Sequence, residues 1–158
     1  MARKKPTWQE KLSDGKCYPK VEPLTGKMAA KCGTGTLVIP APVEVDELMK
    51  KVPRSKVTTI NEVRAALADK HGATIGCPLT TGIFARISAY AAEEQRQKGT
   101  AEITPYWRTL ETGGFLNEKY PGGVEKQKQL LELEGHVVVK RGQKVFCEGL
   151  LELVNGTT

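Results

Sequence analysis

Thr58-Thr59-Ile60-Asn61-Glu62-Val63 decides the fold, because it reads as a helix start running into a helix face. Thr59 followed three residues later by Glu62 is the capping-box pattern, in which each side chain satisfies a backbone N–H that the first turn leaves free. Ile60, Val63 and Leu67 then recur on one face, and Gly72 supplies the stop. A second helix begins near Pro78, whose fixed φ suits a first turn. Its apolar stripe of Ile83, Phe84, Ile87, Tyr90 and Ala91 carries it to the region of Gln97. Two helices joined by the short, Gly-containing segment from His71 to Cys77 predict a helix-turn-helix.

Upstream, Val45, Leu48, Met49 and Val52 fall at i, i+3, i+4 and i+7 and predict a helix that Pro53 ends. Asp46 and Glu47 in its first turn and Lys50 and Lys51 in its last suit the helix dipole. Thr36-Leu37-Val38-Ile39 is a short strand ending at Pro40. Residues 1–35 are rich in Lys, Gly and Pro without a sustained period, although Trp8 and Leu12 share one face of a short helix. They read as a basic, partly ordered arm. Downstream, a helix from Val124 to Glu134 is expected to turn Leu130, Leu131 and Leu133 inward before Gly135. Val137-Val138-Val139 and Val145-Phe146-Cys147, separated by Lys140-Arg141-Gly142-Gln143, read as a β-hairpin. The expected fold is mainly α with a small β part. It has a basic arm over 1–35 and a winged helix-turn-helix domain over 36–158 that closes with a C-terminal β-hairpin.

Composition narrows the function. With 158 residues, 39% apolar and 6% aromatic, the chain can fill one modest core. No apolar run reaches the roughly 18 residues of a membrane span, and the basic start is not followed by the apolar stretch of a secretion signal. A cytoplasmic location away from any membrane is the expectation. Four scattered cysteines without a CxxC pair, and two histidines, give no zinc pattern, so reduced thiols, no metal and no cofactor are expected. The formal net charge of +6 is uneven: residues 1–56 hold 12 Lys and Arg against 6 Asp and Glu, whereas the remainder balances at 12 and 12. A basic segment beside a neutral domain suits a polyanion, because each cation that meets a phosphate releases counterions. A merely solvated tail is the alternative.

Between the second helix and the loop Thr112-Gly113-Gly114 lies Thr104-Pro105-Tyr106-Trp107-Arg108-Thr109-Leu110. Pro105 fixes its backbone. Ile103, Trp107 and Leu110 are expected to point inward, with Tyr106 and Arg108 pointing elsewhere. A buried turn anchored by a Trp is the simplest reading.

The order of these pieces carries a resemblance. Val52-Pro53-x-x-Lys56-Val57-Thr58-Thr59, two helices, a Pro-x-x-Arg turn, a Gly-Gly loop, then Leu130-Leu131-Glu132-Leu133-Glu134-Gly135 and a hairpin resemble the DNA-binding domain of methylguanine-DNA methyltransferases and their alkyltransferase-like relatives. The resemblance spans roughly Val45 to Phe146. It implies a Cys nucleophile at position 106 and a His at position 107, where this chain has Tyr106 and Trp107, and an acid at Glu134. A phenol with a pKa near 10 is a poor substitute for a thiolate. The resemblance is therefore to the alkyltransferase-like type, which binds alkylated DNA without repairing it. Tyr120 matches the aromatic of the substrate loop and Arg108 the motif Arg. Ile60 stands where the family has a Tyr, and no Arg lies near Leu79–Thr81, where the family intercalates one.

The resemblance implies DNA as partner, a duplex with or without alkylated guanine, bound without catalysis by a monomer that can meet other repair proteins. Thr58, Thr59, Thr80 and Thr81 are candidate phosphate donors, with Arg86 on the exposed side of the second helix and Tyr106, Arg108 and Tyr120 at the former alkyl pocket. Each has a plainer role: hydroxyls cap helices, Tyr106 fills an obsolete pocket, and Arg108 bonds loop carbonyls. Two alternatives stand beside this reading. One is alkyl transfer by a displaced Cys77 near a helix start, which a small buried filler would mimic. The other is a protein-interaction module on a retained scaffold. Cys147 is expected in the core.

Overall fold

The computed structural model describes residues 5–15 and 17–147. The first four residues of the expected arm, its Lys16, and residues 148–158 of the expected domain lie outside the described residues. The chain runs α1 (Trp8–Ser13), β1 (Lys20–Pro23), α2 (Gly26–Cys32), β2 (Thr36–Ile39), α3 (Pro42–Lys50), β3 (Thr58–Thr59), α4 (Ile60–His71), β4 (Ile75–Gly76) and α5 (Pro78–Gln97). A one-turn 3-10 helix (Tyr106–Arg108) leads into β5 (Thr109–Leu110), and α6 (Gly123–Leu133), β6 (Val138–Arg141) and β7 (Lys144–Cys147) follow. The described residues are mainly helical, with three small sheets ordered β1-β2-β4, β3-β5 and β6-β7.

The helix pair forms where the sequence places it. Thr59 Oγ1 accepts the Glu62 N–H at 3.4 Å, and Gly72 ends α4 in the left-handed region (φ 63°). Pro78 opens α5. Small residues then let neighbours close on α5: Ala85, Ala89 and Ala92 pack with Val45 and Met49 of α3 and with Val63 and Leu67 of α4. Val38 of β2 joins the same core. The strand beside α4 needs its glycine, because a Cβ on Gly76 would lie 2.7 Å from the Arg64 carbonyl oxygen. A second apolar cluster of Val57, Leu110, Leu116, Leu131 and Cys147 ties the hairpin to α6, and Trp107 packs against both clusters.

The stretch read as an arm, which carries α1, β1 and α2, and the facing of Leu133 differ from the sequence reading. Where a loosely ordered arm is expected, α1 lies on α5: Trp8 stacks on Tyr90 with ring centroids 4.6 Å apart, and Leu12 is buried. Both carboxylate oxygens of Glu94 accept the free N–H groups of Trp8 and Gln9 at 3.1 Å, and β1 pairs antiparallel with β2 from Lys20↔Ile39 to Pro23↔Thr36. These partners are distant in sequence and leave no local periodicity. Leu133, expected to point inward, is 75% exposed. Leu131 is fully buried and Leu130 packs against the core, as expected, and two positions on from Leu131 is about 200° around a helix. No helix of the described residues is long and apolar enough to cross a membrane.

Candidate nucleic-acid interface

The Thr104–Leu110 segment sits between the two clusters: Ile103, Trp107 and Leu110 pack inward as expected, whereas Tyr106 and Arg108, expected to point elsewhere, are also turned into the interior. The tight 3-10 turn over Tyr106–Arg108 brings Tyr106 inward. Tyr106 is fully buried and Trp107 only half-buried. Three buried carboxylates hold the segment. Asp46 of α3 accepts from Thr104 Oγ1 (2.7 Å) and from the Ser88 hydroxyl. Glu93 of α5 accepts from the Tyr106 hydroxyl at 2.8 Å. Glu134, just after α6, accepts from Trp107 Nε1 (3.0 Å) and from Arg108 Nη2 (2.7 Å) and Nε (3.0 Å). Arg108 Nη1 donates to the Val52 carbonyl at 2.7 Å, and Gln127 Nε2 to the Trp107 carbonyl at 3.1 Å.

These contacts set the chemistry. Burial, then the neighbouring Glu93 carboxylate, pushes the Tyr106 phenol well above its ordinary pKa, so it is neutral and no nucleophile. Glu93 is pulled in opposite directions: burial raises it, but Arg96, Lys126 and Tyr106 outweigh that and hold it below the ordinary glutamate value. Glu134 is likewise raised by burial and lowered more by Arg108, Trp107 and the Ser55 N–H. Position 107 thus has an indole N–H bonded to Glu134, which orients it. Tyr106 meets Trp107 and Tyr120 edge-on, with centroids 5.3 and 5.4 Å away. Tyr120 is buried too and donates to the Thr109 carbonyl at 3.1 Å. The rings of Tyr106, Trp107 and Tyr120 therefore pack against one another, with both tyrosines inside the protein.

The other candidate residues divide. Thr58 and Thr59 are buried, and their backbone pairs with Thr109 and Leu110 in parallel register. Thr81 is fully buried, and neither its hydroxyl nor that of Thr80 has a hydrogen-bond partner. Cys77 is a half-buried free thiol at the N-cap of α5 and makes no capping hydrogen bond, while Cys147 is buried in the core. Arg86 alone faces a groove.

That groove has a volume near 630 Å³ and runs between the first turns of α5, the 111–119 loop and the hairpin. Leu79, 70% exposed, and Ile83 form its α5 side with Arg86, while Phe115, Lys119 and Lys144 line the opposite side. The loop is firmly tied. Leu116 N–H donates to the Val145 carbonyl (2.9 Å), Asn117 N–H to the Gln127 amide oxygen (2.7 Å), and Thr112 Oγ1 to Asn61 (2.9 Å). Sequence reasoning missed Phe115, Lys119 and Lys144, which no local pattern joins. It also missed Glu93, although that residue continues the inward row Ala85, Ala89 and Ala92 of α5 and was legible as a polar group on a buried face.

No family model matches this chain, and no curated protein matches it. Among solved structures it is similar to S. pombe Atl1 in complex with damaged DNA containing O6-carboxymethylguanine, at 20% identity and a TM-score of 0.46, over 70% of this chain and 90% of that one. It is also similar to S. pombe ATL in complex with DNA, at 19% identity and a TM-score of 0.44, with the same coverage of the two chains.

Proposed function

We propose that this protein binds DNA without reacting with it, through the first turns of α5 and the groove beside them, and that damaged DNA is its preferred form. The observation that carries the reading is the row of exposed Leu79 and Ile83 and half-buried Arg86 on the second helix of the pair, set opposite Lys119 and Lys144. Cations on both sides of a groove suit a phosphate backbone. Leu79 is an exposed apolar side chain of the kind that enters an opened base step. Tyr106, a neutral buried phenol where the resemblance implies a thiolate, supports binding without alkyl transfer. Damage lowers the cost of taking a base out of the stack, so a binder without a flipping Arg gains most from DNA that is already weakened.

The test is anisotropy of a labelled duplex, with and without one O6-methylguanine, across a salt series. The expected result is tighter binding to the lesion duplex, a loss of about tenfold in the Arg86→Ala/Lys119→Ala double variant, and a salt slope reduced by about 2. Mass spectrometry after incubation should show no added methyl group on the protein. Binding that the double variant leaves unchanged would move the interface elsewhere, and a methylated protein would restore the alkyl-transfer alternative at Cys77.

A further inference from the structure

We infer that Phe115 is the platform on which one unpaired base of a bound nucleic acid stacks, with its phosphate met by Lys144 and Arg86. This deepens the reading above and rests on it. The two tyrosines expected at a base site are both buried with their hydroxyls bonded inside the protein, so neither offers a face to a ligand. The aromatic that lines the groove is Phe115, half-buried, with the Lys144 ammonium over its ring 4.9 Å from the centroid, a place that a stacking base takes as the ammonium moves to the phosphate.

The ring is held in place. Gly113 and Gly114 take positive φ (83° and 86°), and the turn closes through hydrogen bonds from Gly114 N–H to the Glu111 carbonyl (2.9 Å) and from Glu111 N–H to the Phe115 carbonyl (2.8 Å). A Cβ on Gly113 would approach the ring to 3.1 Å, so the turn lies directly against it. Phe146 supports it edge-on with centroids 6.1 Å apart. A ring fixed in this way loses little entropy on stacking.

Size and charge choose the occupant. A volume near 630 Å³ is within the range of about 300–1,000 Å³ for small-ligand pockets and is far below a duplex, so the groove takes one nucleotide and leaves the helix outside. An aromatic face beside cations is the pairing used for unpaired bases, and it tolerates any base because each has a π-face. Arg86, Lys119 and Lys144 outnumber Glu111 and Glu118 along the walls, and Glu111 already accepts from the Asn117 side chain at 3.0 Å.

The experiment compares the full chain with Phe115→Ala, Phe115→Leu and Phe115→Trp on three labelled probes: an intact duplex, the same duplex with one bulged thymine, and an oligothymidine strand. The expected result is that Phe115→Ala and Phe115→Leu lose about tenfold on the bulged and single-stranded probes and less than twofold on the intact duplex. Phe115→Trp should retain binding. A 2-aminopurine at the bulge should be quenched by the parent protein and not by Phe115→Leu, which keeps the apolar packing without the π-face. Equal losses on all three probes, or none, with the fold intact by circular dichroism, would overturn the stacking site while leaving DNA binding standing. A parent chain that binds none of the probes would overturn the DNA reading itself.

Discussion

Glu134 brings a negative charge into a place nearly closed to water and surrounds it with donors: Trp107 Nε1, the Arg108 fork and the Ser55 N–H at 3.2 Å. The Arg108 side chain is only 13% exposed and Glu134 4%, so removing either leaves a buried charge without its partner. Glu134→Ala is therefore expected to cost about 3–5 kcal/mol in urea unfolding at neutral pH. Glu134→Gln should cost less, since the amide oxygen still accepts from the indole. A loss under 1 kcal/mol for the alanine variant would mean that Arg108 finds water or another acceptor. The residue itself is legible in the sequence as the acid before Gly135. Its partners are not, because Trp107 lies 27 positions away and Ser55 79. Tyr106 shows the same limit: its identity rules out thiolate chemistry, but its inward facing depends on a 3-10 turn and on Glu93 of α5, which the local sequence does not record.

Helices with strong local signals appear where the sequence puts them. Thr59, Gly72 and Pro78 are local punctuation, and α4 and α5 obey it. Elements held by distant partners do not announce themselves, and α1 is the clearest case. It spans six residues, too short to persist alone, and is held by Trp8 on Tyr90 and by Glu94 across its first N–H groups. Thr7 caps it as well, accepting the Glu10 N–H at 3.1 Å. Glu94→Ala should lower stability by about 1 kcal/mol, the usual worth of a cap. It should also speed hydrogen exchange at the Trp8 and Gln9 amides before any other helix responds. Unchanged protection at those two amides would show that the Thr7 cap and the Trp8 stack suffice.

Across the whole molecule, buried ionisable groups set a pH window. Burial raises Glu44, Glu93 and Glu134, but their hydrogen bonds and ion pairs lower them more, so all three titrate below 4.5 when folded. Their contribution is present above the unfolded value and is lost as pH falls through the folded ones, so stability should decline progressively below about pH 4.5. Burial raises Tyr106 and Tyr120, so the unfolded chain releases these protons first and stability should also fall above about pH 10. Urea midpoints between pH 3 and pH 11 would trace a plateau with two shoulders. A flat acid limb would mean that these carboxylates are equally stabilised in the unfolded chain. The sequence by itself determined α3 to α6, the hairpin, the charge asymmetry and the absence of a thiol at position 106, because periodicity, caps and residue chemistry act locally. Only the tertiary structure decided that α1 packs on α5 and β1 pairs with β2, that three carboxylates from separate elements hold residues 104–108, and that Leu79, Arg86, Phe115, Lys119 and Lys144 meet at one groove. Contacts of that kind depend on which surfaces the chain brings together, and no local spacing records them.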